Sequence, residues 1–127
     1  MNYLLIFIGG GMGAVCRFAL SSFINQKLCI VFPSGTFSVN VIGSLVMGFV
    51  FCLFQDITVS IETRIFLTIG FLGGFTTFSS FSIETVNLLR DGEHKFFLYN
   101  VIFTNVFCLL STFTGMYIAK FLTRTIR

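Results

Sequence analysis

The chain is 127 residues long, 55% of them hydrophobic and only 10% charged, with a net charge of +3 at neutral pH and a mean hydropathy of +0.95. A water-soluble domain carries about 25% charged residues, so the surface must face lipid. So small a charge, spread over the chain, also gives no support to a nucleic-acid-binding surface.

A spanning helix takes about 20 residues, so the length admits four spans with short connections. The hydropathy pattern places them at about residues 3–24, 35–54, 65–89 and 97–122. Their backbone polar groups must be satisfied internally in hydrocarbon, which makes them helical. The expected fold is an all-α integral membrane domain comprising the whole chain.

Span 1 begins without a basic segment and runs well past signal-peptide length, so it is expected to be retained as a spanning helix. It holds Gly9 and Gly13, a GxxxG pair that permits close helix approach. Arg17 lies about two-thirds along it. Its head either snorkels to the interface or draws anions into a vestibule.

The only proline, Pro33, suits a helix start just before span 2. Within that span Thr36, Asn40 and Ser44 recur at four-residue steps and share one face. The Asn40 amide has two N–H donors. It can serve as a neutral anion ligand or make an interhelical hydrogen bond. Ser44 and Gly48 form a second small-residue pair.

Span 3 carries the least ordinary segment, Gly70-Phe71-Leu72-Gly73-Gly74-Phe75-Thr76-Thr77-Phe78-Ser79-Ser80-Phe81-Ser82. Paired glycines followed by hydroxyl residues weaken a helix, and the third span is expected to break here, near the bilayer centre. Broken backbone at that depth must be buried in protein or line water, and its freed carbonyls can coordinate a small cation. Phe78 and Phe81 share a face, and phenyl edges are electropositive. They either attract a small anion or pack in the core. Glu84, further along, has the reach to pair with a basic residue. Span 4 carries Asn100, Thr104, Cys108 and Thr112 at four-residue steps, with Asn105, Ser111 and Thr114 on neighbouring faces. Such a stripe either follows an ion track or back-bonds to its own helix.

Four cysteines (Cys16, Cys29, Cys52, Cys108) are scattered, and the lone His94 lies in a charged connection. No zinc-type ligand spacing results. Neither a nucleophile elbow nor a phosphate-binding loop is present. Gly9–Gly13 is no dinucleotide fingerprint, since no strand precedes it. An enzyme is not expected. Four spans put Arg64, Lys120, Arg124 and Arg127 on one side, and Arg17, Lys27, Arg90 and Lys95 on the other. The tally is even, so positive charge does not fix an orientation. Antiparallel pairing and a single orientation fixed by a partner both remain open.

Three blocks carry a resemblance. Gly9-Gly10-Gly11-Met12-Gly13-Ala14-Val15-Cys16-Arg17, Gly35-Thr36-Phe37-Ser38-Val39-Asn40-Val41-Ile42-Gly43-Ser44 and Gly70 to Phe81 are similar to the signature blocks of the Fluc/CrcB family of fluoride channels, in the family's order. The resemblance implies a dual-topology, antiparallel homodimer in the bacterial inner membrane, with fluoride pores along the subunit interface and passive fluoride export. It also implies a central structural sodium ion held by the carbonyls of Gly73 and Thr76. By the same resemblance Asn40, Thr36, Phe78, Phe81 and Ser79 belong to the pore. Thr104, Cys108 and Thr112 form its span 4 track, with Cys108 where serine is common. Arg17 and Glu84 correspond to the family's vestibule or structural charges. Two other readings are weighed: a small dual-topology multidrug or cation transporter, disfavoured because span 1 lacks a carboxylate, and a non-transporting assembly protein.

Overall fold

The computed structural model describes residues 2–126. Met1 and Arg127, the latter counted in the charge tally, lie outside the described residues. Among the described residues the elements are α1 (Asn2–Leu28), α2 (Ser34–Asp56), α3 (Ile61–Arg64), a π-helical stretch (Ile65–Leu72), α4 (Gly73–Phe75), α5 (Phe78–Arg90) and α6 (His94–Ile126). Four continuous or nearly continuous helices result, at Asn2–Leu28, Ser34–Asp56, Ile61–Arg90 and His94–Thr125. Each is long and apolar enough to cross a bilayer. They outrun the expected spans at both ends. Hydropathy marks only the apolar middle, whereas helical hydrogen bonding continues into polar residues such as Gln26 and Lys27.

The third span is broken near its middle, as expected, but the glycines do not open it. Gly73 is helical, at φ −64° and ψ −36°. The chain turns extended only at Thr76 (φ −80°, ψ 155°) and Thr77 (φ −150°, ψ 116°). The glycines serve packing instead. Gly9 and Gly13 of α1 lie against the backbone of Phe66, Gly70, Phe71 and Phe75, and Gly74 lies against the backbone of Gly10. Gly9 therefore meets Gly70 and Gly10 meets Gly74, and a Cβ at Gly9, Gly13 or Gly74 would collide with main chain. Lipid supplies no hydrophobic drive between helices, so this close approach is what holds them together. Preceding the break, Ile65–Leu72 is π-helical, a wider winding that the sequence pattern does not announce.

A second seam joins α2 to α6. Gly48 abuts the backbone of Thr112, and Gly115 abuts that of Leu45 and Phe49. The dominant packing is thus first span with third and second span with fourth. The connections are short and capped. Asn25 Oδ1 accepts from the Gly35 N–H at 2.8 Å and the Ser34 hydroxyl at 3.3 Å, which caps α2 across the loop. Gly92, at φ +79°, ends α5. Its N–H donates to Leu89 O at 3.2 Å, and the Glu93 N–H donates to Leu88 O at 2.8 Å. This is a Schellman closure, which needs a residue free to be left-handed. Large apolar side chains such as Phe7 and Phe18 point outward, as a lipid-facing surface requires.

Candidate functional site

The break in the third span exposes peptide groups that a helix would have used, and neighbouring helices take them up. Asn40 of α2 holds the Thr77 peptide from both sides. Its Nδ2 donates to Thr77 O at 2.9 Å, and its Oδ1 accepts the Thr77 N–H at 2.8 Å. Thr77 and Asn40 are both buried, so this clamp satisfies two groups that would otherwise be stranded. Of the readings open for Asn40, the interhelical hydrogen bond is present. One of its two N–H donors is engaged there, and the other remains. The Thr76 carbonyl accepts from Arg17 Nη1 at 3.5 Å. Arg17 therefore turns inward to the break. On the far side Thr77 Oγ1 accepts the Ser80 N–H at 3.2 Å and caps α5.

Two cavities meet at Thr77. The larger, about 360 Å³, is walled by Asn40, Ser44, Thr76, Thr77, Phe78 and Phe81 on one side and by Thr104, Cys108 and Thr112 of α6 on the other. The structure thus brings together Asn40, Ser44, Thr76, Phe78, Phe81, Thr104, Asn105, Cys108 and Thr112, all singled out by sequence. The Phe78 and Phe81 rings lie 5.3 Å apart, tilted by 45°. They differ in setting, since Phe81 is 7% exposed and Phe78 74%. The second cavity, about 320 Å³, contains Arg17, Thr36 and Glu84, with Ser21, Ser22, Thr77 and Ser80. Its polar lining holds one cation, one carboxylate and several hydroxyls.

Glu84 departs from expectation. Its Oε1 accepts the Thr36 hydroxyl at 2.8 Å, so its partner is a hydroxyl and not a basic side chain. The other carboxylate oxygen is buried without a partner among the described residues. Thr36 shares a helix face with Asn40, as predicted, yet the two line different cavities. Ser79 and Gly73 are exposed on the subunit surface, and neither lines a cavity. Thr76, beside Gly73, also returns its hydroxyl to Leu72 O at 3.0 Å.

Behind Phe81 lies a polar relay, of which the sequence announced Asn100 and Thr104 but not Thr85. Thr85 donates to Phe81 O at 2.6 Å and accepts from Asn100 Nδ2 at 2.8 Å. Asn100, only 1% exposed, accepts the Thr104 hydroxyl at 3.0 Å. The donor sequence runs one way, because the Thr85 proton goes to a carbonyl that can only accept. The Thr104 proton is consequently committed to Asn100, and in this arrangement Thr104 presents lone pairs elsewhere. Thr112 likewise donates to Cys108 O at 3.0 Å. Ser21, Ser22, Ser80 and Thr85 were missed. Ser21 follows Arg17 by four residues, a spacing that shares a helix face and carried the signal.

Comparison with known proteins identifies the family. Residues 4–116 match the family described as "CrcB-like protein, Camphor Resistance (CrcB)". A protein of Parabacteroides distasonis named "Fluoride-specific ion channel FluC" is 43% identical over 116 residues, covering 91% of each chain. Proteins of the same name from Bacteroides fragilis (42% identical, 91% of this chain and 93% of that one) and Geotalea uraniireducens (44%, 92% and 95%) are similarly close. The match reaches into all four apolar helices and covers the break within the third, and on that extent the chain belongs to the CrcB-like family.

Proposed function

We propose that this multi-pass membrane protein of the bacterial inner membrane is a passive, fluoride-selective channel that relieves the cytoplasm of fluoride. The observation that carries the reading is the meeting of two cavities at one clamped peptide. A polar chamber with Arg17 adjoins a chamber lined by Asn40 and the Phe78 and Phe81 rings, with Thr77 in the wall of both. Fluoride binds water strongly, so a pore must offset dehydration with several ligands, each weak enough to release it. Asn40 offers its spare N–H, and the rings offer positive edges. Thr36 belongs to the polar approach. Thr104, Cys108 and Thr112 supply the opposite wall, with their donors largely turned to their own helix. No proton-coupling step is needed.

The working unit is an antiparallel homodimer. Phe78, Ser79 and Gly73 all lie on the exposed face of the subunit, so a second, inverted copy would cover the first ring and bring Ser79 to a pore. The same pairing would gather Gly73 and Thr76 carbonyls from both copies. Those carbonyls fit a hard monovalent cation such as sodium. They are neutral oxygen donors in the last turn before the break in the third span, and a Cβ at Gly73 would meet only Thr68 O, at 3.7 Å. A bound sodium ion would supply fixed positive charge that locks the two breaks together. Arg17 shares the Thr76 carbonyl, which has two lone pairs.

The test is fluoride efflux from liposomes containing the purified protein, followed with a fluoride electrode and compared with chloride. Fluoride should leave rapidly without a proton gradient, and chloride should be retained. A correctly folded dimer that passes no fluoride would refute the channel reading and leave an assembly protein. Efflux that requires a proton gradient would point to the transporter reading.

A further inference from the structure

Far from the break, the C-terminal ends of α2 and α6 enclose a third cavity of about 190 Å³, lined by Asp56, Lys120, Thr123 and Arg124. We propose that it binds the headgroup of an anionic membrane phospholipid that carries a single negative charge, such as phosphatidylglycerol. Lys120 and Arg124 are four residues apart and share one face of α6. Asp56 lines the same cavity from α2, and its Oδ2 accepts the Thr123 hydroxyl at 2.8 Å. Two cations and one carboxylate leave one net positive charge, which matches one phosphodiester and disfavours a multiply charged phosphate.

Position selects lipid over a soluble anion. Three residues before Lys120 and one after it, Tyr117 and Phe121 are 73% and 62% exposed. An apolar surface therefore borders the charged pocket on the same helix. A headgroup held by Lys120 and Arg124 would leave its acyl chains beside these rings, a contact that a free phosphate cannot make. Basic residues just outside a span attract anionic lipid by about fivefold each. The cavity between two helices adds a shape that scattered surface lysines lack.

Native mass spectrometry of the delipidated full-length protein, titrated with phosphatidylglycerol, tests the site. Phosphatidylcholine and inorganic phosphate serve as the comparison probes. Phosphatidylglycerol should bind in preference to both. Lys120→Gln combined with Arg124→Gln should weaken it by about thirtyfold, at about fivefold per cation. Asp56→Asn keeps an oxygen for Thr123 and removes the opposing charge, so it should strengthen binding by about fivefold. The site is refuted if the double variant binds phosphatidylglycerol like the wild type, or if Asp56→Asn fails to strengthen binding. The second arm stands even where the double variant does not fold. Equal binding of phosphatidylcholine would remove the requirement for an anionic head. Equal competition by inorganic phosphate would make the pocket a soluble-anion site.

Discussion

Replacing Asn40 with alanine strips the Thr77 peptide of both its partners, the 2.8 Å acceptor of its N–H and the 2.9 Å donor to its carbonyl. Thr77 is buried, so neither group regains bulk water. A stranded buried group costs about 1–3 kcal/mol, and the pair costs about 2–6 kcal/mol of local stability, with the lower figure applying if water enters the adjoining cavity. Local opening at the lower figure is enough to accelerate amide exchange about thirtyfold. Hydrogen–deuterium exchange on the protein in nanodiscs should therefore show the Thr77 peptide exchanging at least that much faster in Asn40→Ala, with α6 amides unchanged. Fluoride efflux should fall in the same variant, because the spare N–H is lost too. Asn40→Asp separates the two effects. It keeps an acceptor for the Thr77 N–H but sets an oxygen against the Thr77 carbonyl, so only part of the protection should return; it has no N–H to offer, so efflux should stay low. Wild-type exchange at Thr77 in Asn40→Ala would show that the clamp does not hold the break.

Phe81→Ile replaces a buried ring edge with an aliphatic group. It should lower fluoride efflux by about tenfold, the equivalent of one ring contact of about 1.4 kcal/mol, while size-exclusion chromatography still reports the wild-type assembly. Thr104→Val leaves Asn100 Oδ1 buried without its donor. It should cost about 1–3 kcal/mol of stability, read as a lower unfolding temperature, with a much smaller change in efflux because the Thr104 proton is already committed. Gly48→Val drives a side chain into the Thr112 backbone. It should destabilise the α2–α6 seam by at least about 1–3 kcal/mol, seen as loss of monodisperse protein on extraction.

Composition and length alone disclosed the four spans, since nothing but lipid accommodates so few charges. The broken third span was legible as well, but not the residue at which it breaks. Gly70, Gly73 and Gly74 read as weak helix, yet two of them are occupied by contact with α1, and the helix yields where Asn40 and Arg17 stand ready to hold the peptide. That choice depends on partners 37 and 59 residues away, which spacing along one span does not encode. The polar stripe of α6 was visible at four-residue steps. What spacing could not tell is the direction of each hydrogen bond, and direction decides whether Thr104 gives its proton to an ion or to Asn100. Glu84 was legible as an ionisable group within a span, but its hydroxyl partner, Thr36, lies 48 residues away and the sequence suggested a base.

The glycine seams also bear on how such a chain is made. The closest packing joins alternate spans, first with third and second with fourth. During synthesis, the first two spans would enter the membrane with their small-residue grooves vacant. Neither groove is filled until a later span arrives, and the fourth closes the last. Assembly is therefore a late event. A nascent chain interrupted after two spans should present two open grooves to whatever membrane quality-control machinery surveys unpaired helices, which makes truncation products of this protein good candidates for rapid clearance.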